Sequence, residues 1–155
     1  MKRFVLAAVA ALLAQGAVAQ VSPEQARERL SRAAVPIEPA SLVQYAAQGD
    51  ANTVTLLLAT GLNVSARDPV RGVTALHNAA AQGQLHVLDQ LLRLQPDVNA
   101  QDWRGLTPLI NAVHGGHGGT IERLLKAGAR VDVKPAQGPT ALLAAVHAGR
   151  MPVVR

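Results

Sequence analysis

The chain has 155 residues, room for one ordinary domain. Apolar residues make up 49% and charged residues 16%, against about 25% charged in typical domains, which excludes intrinsic disorder. The only aromatics are Phe4, Tyr45 and Trp103, too few for a base-stacking nucleic-acid module, and the lack of cysteine excludes disulfides, thiolate zinc sites and cysteine nucleophiles.

Met1 to Ala19 carries Lys2 and Arg3, then an apolar run from Phe4 to Ala14, then the small triplet Ala17-Val18-Ala19. This is the pattern of a secretory signal peptide over 1–19, cleaved after Ala19. The run falls short of the roughly 20 residues of a membrane span, so no stable membrane insertion is expected after cleavage. Loss of Lys2 and Arg3 lowers the formal charge from +5 to +3. The remaining cations are scattered along the chain, which argues against a nucleic-acid partner. An exported chain without cysteine suits an oxidising compartment, so a periplasmic or secreted location is expected.

Residues 20–38 are expected to form a capping helix and linker. Ser22-Pro23-Glu24-Gln25 offers an N-cap, a proline at N1 and a glutamine at N3, opening a helix to about Ala33.

Beyond it the sequence repeats. Gly72, Gly105 and Gly138 are 33 residues apart, as are Thr74, Thr107 and Thr140, and Leu76, Leu109 and Leu142. Asp68-Pro-Val-Arg-Gly72 is one residue longer than Asp102-Trp-Arg-Gly105, and an insertion costs least in such a turn. A period of this size signals a solenoid. Units are expected at 39–67, 68–101, 102–134 and a partial 135–155, in which Val153-Val154 align with Val87-Leu88.

Each unit reads as two short helices. In the second unit these run from Thr74 to Ala81, with Thr74 as N-cap, and from Leu85 to Arg93. Helices this short are marginal alone, so stacking of neighbours must stabilise them, and alanine at inner positions lets them approach closely. In the third unit, His114-Gly-Gly-His-Gly-Gly119 places glycines where the second helix should begin. A start near Thr120 and reduced local stability are expected.

RGVTALHNAAAQGQLHVLDQLL and RGLTPLINAVHGGHGGTIERLLKAGARVD resemble ankyrin repeats, whose signature is G-x-T-P-L-H-x-A followed by Gly-His and a Leu-Leu pair. The resemblance covers about Pro39 to Arg155. It implies an all-α ankyrin-repeat solenoid of helix-turn-helix units, three full repeats and a truncated fourth, in an exported protein of bacterial periplasmic type. The first unit lacks the Thr-Pro-Leu-His start, as a terminal capping repeat does.

The resemblance also implies a partner surface built from hairpin tips and from the residues before Gly-His. At the tips the matching positions are Val70, Arg71 and Val73; Trp103, Arg104 and Leu106; and Ala136, Gln137 and Pro139. Along the first helices they are Ala81 and Gln82, His114 and Gly115, and His147 and Ala148. Trp103 lies on a turn beside Arg104, and Trp and Arg are enriched at binding hot spots. It is read either as an interface anchor or as a residue packed on the neighbouring tip.

The resemblance gives His77 a structural role between neighbouring units, and His117 fills the Gly-His column, where a bond to the adjacent turn is expected. His86 is expected on the surface. His114 and His147, in register on successive units, are either a two-histidine zinc site with water or two polar residues of a recognition surface. No carboxylate shares their column, so no metal site is assigned. No Gly-x-Ser-x-Gly, His-Glu-x-x-His or phosphate-loop motif occurs. The carboxylates read as caps, turns and solvated faces.

The chain is therefore read as a non-catalytic protein–protein interaction module without a cofactor. It would bind a protein partner through Arg71, Val73, Gln82, Trp103, Arg104, Leu106, His114, Gln137 and His147. The alternatives are an accessory domain of a longer protein whose activity lies beyond residue 155, and a His-dependent metal-binding protein or hydrolase.

Overall fold

The computed structural model describes residues 21–149. The proposed leader over 1–19 and the Val153-Val154 register lie outside the described residues. Among those described, the elements are α1 (Pro23–Arg32), α2 (Pro39–Gln48), α3 (Ala51–Ala59), α4 (Ala75–Gln82), α5 (Leu85–Leu92), α6 (Pro108–Gly115), α7 (Gly118–Lys126) and α8 (Ala141–His147).

The helices form two rows. The first helices of the units pack in series, α2 on α4, α4 on α6 and α6 on α8, while α3, α5 and α7 form the second row. At the head of that second row α1 packs on α3, burying Ala26 and Leu30, which lie one helical turn apart. The Ser22 hydroxyl accepts the Gln25 N–H and the Gln25 side chain accepts the Ser22 N–H, each at 3.2 Å, completing a capping box.

The repeated threonines are helix caps. The hydroxyls of Thr74, Thr107 and Thr140 accept the N–H of His77, Ile110 and Leu143, which explains why that column recurs at the head of each first helix. The repeated leucines and alanines face inward. Ala46, Ala79, Ala80 and Ala112 are fully buried between first helices. Leu57, Leu88, Leu91, Ile121 and Leu124 cover the core from the second row. Each such leucine contributes roughly 1.5–3 kcal/mol on burial, so stability accrues from stacking rather than from any single helix. Leu142, Leu143 and Val146 of α8 occupy the columns of buried Leu109, Ile110 and Val113 and are nevertheless exposed. Among the described residues their helix packs against α6.

One expectation is corrected. α7 begins at Gly118 and not near Thr120, so two glycines lie within its first turn. The cause is the neighbouring repeat. The His117 imidazole donates from Nε2 to the Ala81 carbonyl at 3.0 Å, and this holds His117 as N-cap while its own carbonyl accepts the Ile121 N–H at 3.0 Å. Burial of Thr120, Ile121 and Leu124 then outweighs the low helix propensity of the glycines.

Candidate functional site

The hairpin tips are built around two aspartates. In the second unit Asp68 Oδ1 accepts the N–H of Val70 at 2.9 Å and of Arg71 at 2.6 Å. In the third, Asp102 Oδ1 accepts those of Arg104 and Leu106, both at 2.9 Å. Each aspartate also closes its turn through the main chain, accepting from Gly72 at 2.9 Å or Gly105 at 2.8 Å. The same closure thus carries one extra residue in the second unit.

Successive tips are bonded to one another. The Trp103 N–H donates to the Arg71 carbonyl and the Ala136 N–H to the Arg104 carbonyl, both at 3.0 Å. Arg67 adds a side-chain tie, its Nη1 donating to the Gln101 carbonyl at 2.5 Å. Close approach demands glycine at one point. Gly105 has φ +76°, and a Cβ there would lie 2.8 Å from the Ala136 nitrogen.

This ladder presents its side chains to solvent. Trp103 is 69% exposed and Val70 83% exposed. The Arg104 guanidinium sits 5.7 Å from the centroid of the Trp103 ring, within cation–π range. The Trp103 backbone is therefore tied to the preceding tip, with the Arg104 guanidinium near the ring and most of the indole surface exposed.

Of the expected contact residues, Arg71, Trp103 and Arg104 come together on adjoining tips, and Gln137 is exposed on the next. Val73 is half-buried. Gln82, His114 and His147 are exposed at the C-terminal ends of α4, α6 and α8, a helix length of about 12 Å from the tips. Leu106 is a correction. It is 8% exposed and belongs to the core, because its carbonyl is drawn inward by His77 and by the Asp102 N–H, so its side chain presents nothing to a partner.

The remaining histidines divide as their columns suggest. Fully buried, His77 accepts the Thr74 N–H at Nδ1 (3.1 Å) and donates from Nε2 to the Leu106 carbonyl at 2.9 Å, binding the second unit to the third. Burial holds its pKa below the usual imidazole value. His117 lies over the cap of α4, where a Cβ on Gly83 would fall 2.5 Å from its Nδ1. His86 is exposed. Among the described residues no group of three or more His, Cys, Asp or Glu is placed to hold a metal ion, and no helix is long and apolar enough to cross a membrane.

Sequence reasoning missed several ties. Gln84 donates to the Ala47 carbonyl at 3.1 Å and Asn78 to the Val43 carbonyl at 3.3 Å. Gln84 stands in the column of His117 and makes the same bond one unit earlier, so the repeat alignment held that signal.

Two rows of short antiparallel helix pairs, joined by bonded hairpin tips, define a helical-repeat solenoid. Comparison with family models makes the class specific: the model of ankyrin repeats (3 copies) matches residues 7–102, 42–135 and 76–155. The chain belongs to the ankyrin-repeat family. Ankyrin repeats are generally protein–protein interaction modules and typically non-catalytic. Comparison with curated proteins returns no match.

Proposed function

We propose that this chain is an exported, non-catalytic module that holds a protein partner against its hairpin tips and first-helix face. The observation that carries this reading is the placement of Trp103. A lone indole on a turn, 69% exposed and held by the preceding tip and by Arg104, costs hydration in the free protein and contributes nothing to the core. Large aromatic side chains flanked by arginine are the residues through which interfaces gain most of their affinity. Gln82, His114 and His147 extend the surface along the first helices.

Export rests on the leader pattern of residues 1–19, and a periplasmic or secreted location follows from it. Two measurements test the proposal. Mass spectrometry of the mature product is expected to give a chain beginning at Gln20, and an intact Met1 on a soluble cytosolic product contradicts export. Capture from the compartment that receives the chain is expected to fail for Trp103→Ala while its helical circular dichroism is unchanged. Retained capture contradicts the placement of the interface.

A further inference from the structure

The charges of this molecule are sorted by face. The first helices α2, α4, α6 and α8 contain no Asp or Glu. In the tips both aspartates turn inward onto backbone N–H groups, and the Asp102 side chain is only 2% exposed. The Arg71 and Arg104 side chains are exposed on successive tips around Trp103, Arg104 keeping its Nε 4.0 Å from Asp102 Oδ2 while its side chain stays 56% exposed, with exposed Arg67 and Lys134 in the flanking column. Asp132, just before the third tip, is held by Nε and Nη2 of Arg130 at 3.2 and 3.1 Å. All other carboxylates lie on α1, at the N-termini of α2 and α3, on the second-row helices α5 and α7, or in the turn after α5.

Exposed cations around the exposed apolar side chains of Val70 and Trp103 on adjoining tips, with the local aspartates buried or turned onto main-chain donors and only Asp102 also reaching Arg104, complement one kind of partner. We infer that the segment held at the tips is an acidic peptide: its carboxylates pair with Arg71 and Arg104, and an adjacent aromatic or aliphatic side chain lies against Trp103 and Val70. Guanidinium groups recognise carboxylates in a two-bond fork, which gives direction as well as attraction. A basic segment is repelled by the same arrangement. This inference rests on the proposed protein-binding function and adds the chemistry of the partner.

Trp103 is the sole tryptophan, so its fluorescence reports on the tips directly. The full chain is titrated with a synthetic peptide of Glu and Asp residues around one Phe, with the same peptide carrying Gln and Asn instead, and with a single-stranded oligonucleotide of equal charge. The acidic peptide is expected to shift the emission saturably. Its affinity is expected to fall at least about tenfold between roughly 50 and 500 mM salt, and by a similar factor in the amide peptide. Arg71→Gln with Arg104→Gln is expected to weaken it by about tenfold, and each single variant by about threefold should the pair disturb the helical spectrum. Equal binding of the amide peptide, equal or tighter binding of the oligonucleotide, or no saturable shift overturns the inference. A chain that captures a protein through Trp103 yet ignores the acidic peptide refutes this inference and leaves the proposed function standing. Failure of both removes both.

Discussion

The imidazole of His77 bridges two repeats, its Nδ1 accepting from Thr74 of its own unit and its Nε2 donating to the Leu106 carbonyl of the next at 2.9 Å. The bond from Thr74 requires the neutral ring, since a proton on Nδ1 removes the acceptor that Thr74 needs, while the Nε2 bond to Leu106 is kept in either form. Burial lowers the folded-state pKa below the ordinary value of about 6.5. The unfolded chain therefore binds a proton that the folded chain refuses. Stability is fully present above pH 6.5 or so, and it falls as pH drops below that value towards the folded pKa, by up to about 1.4 kcal/mol per pH unit. Urea titrations across that window are expected to show the loss, and His77→Gln is expected to flatten it. An unchanged slope in the variant contradicts the assignment.

Truncating the same residue tests the bridge itself. His77→Ala leaves the Leu106 carbonyl and the Thr74 N–H without this partner and opens a hole in a fully buried site. A loss of about 2–4 kcal/mol is expected in denaturant unfolding. A change under about 0.5 kcal/mol would show that the bridge is idle.

Gly105 and Gly128 separate conformational strain from close approach. Both have positive φ, +76° and +93°, but a Cβ on Gly128 meets open space while one on Gly105 meets the Ala136 backbone at 2.8 Å. Gly128→Ala is expected to cost about 1 kcal/mol, and Gly105→Ala about 2–4 kcal/mol with loosening of the neighbouring tip. Equal costs would mean that the tips are not tightly coupled.

The first turn of α7 is underbuilt for a helix. A Cβ on Gly118 meets nothing within 4 Å, so Gly118→Ala is expected to stabilise by roughly 0.5–1 kcal/mol. In the wild-type chain, hydrogen exchange is expected to protect α7 less than α5. Equal protection of the two helices defeats this expectation.

Two residues after Gly118, the hydroxyl of Thr120 is buried without a hydrogen-bond partner, in the column occupied by Val87. Thr120→Val keeps the shape and removes the unpaired group, with an expected gain of about 1 kcal/mol by thermal unfolding. A loss of stability would mean that the hydroxyl is satisfied after all.

Much of this architecture was readable because the repeat constrains it redundantly. The threonine column located the helix starts, the spacing of Leu and Ala located the buried faces, and Ser22 with Gln25 announced α1. The readings that failed needed information from across a repeat boundary. The start of α7 depends on the bond from His117 to Ala81, which glycine propensity does not register. The column of Leu106 suggested a tip residue, but the side on which its carbonyl is held decides where the side chain goes. The charge sorting of the tips was equally hidden, since Asp68 follows exposed Arg67 and Asp102 lies two residues before exposed Arg104, and only the turn geometry directs both carboxylates onto backbone N–H groups.

The central claim is that the tips and the first-helix face meet the partner while the second-row helices do not. A photo-crosslinking residue placed at Arg71 or Gln82, compared with one at exposed Lys126 on α7, tests it most directly. A partner adduct from Arg71 and Gln82 with none from Lys126 is the expected result. An adduct formed from Lys126 alone would contradict the account.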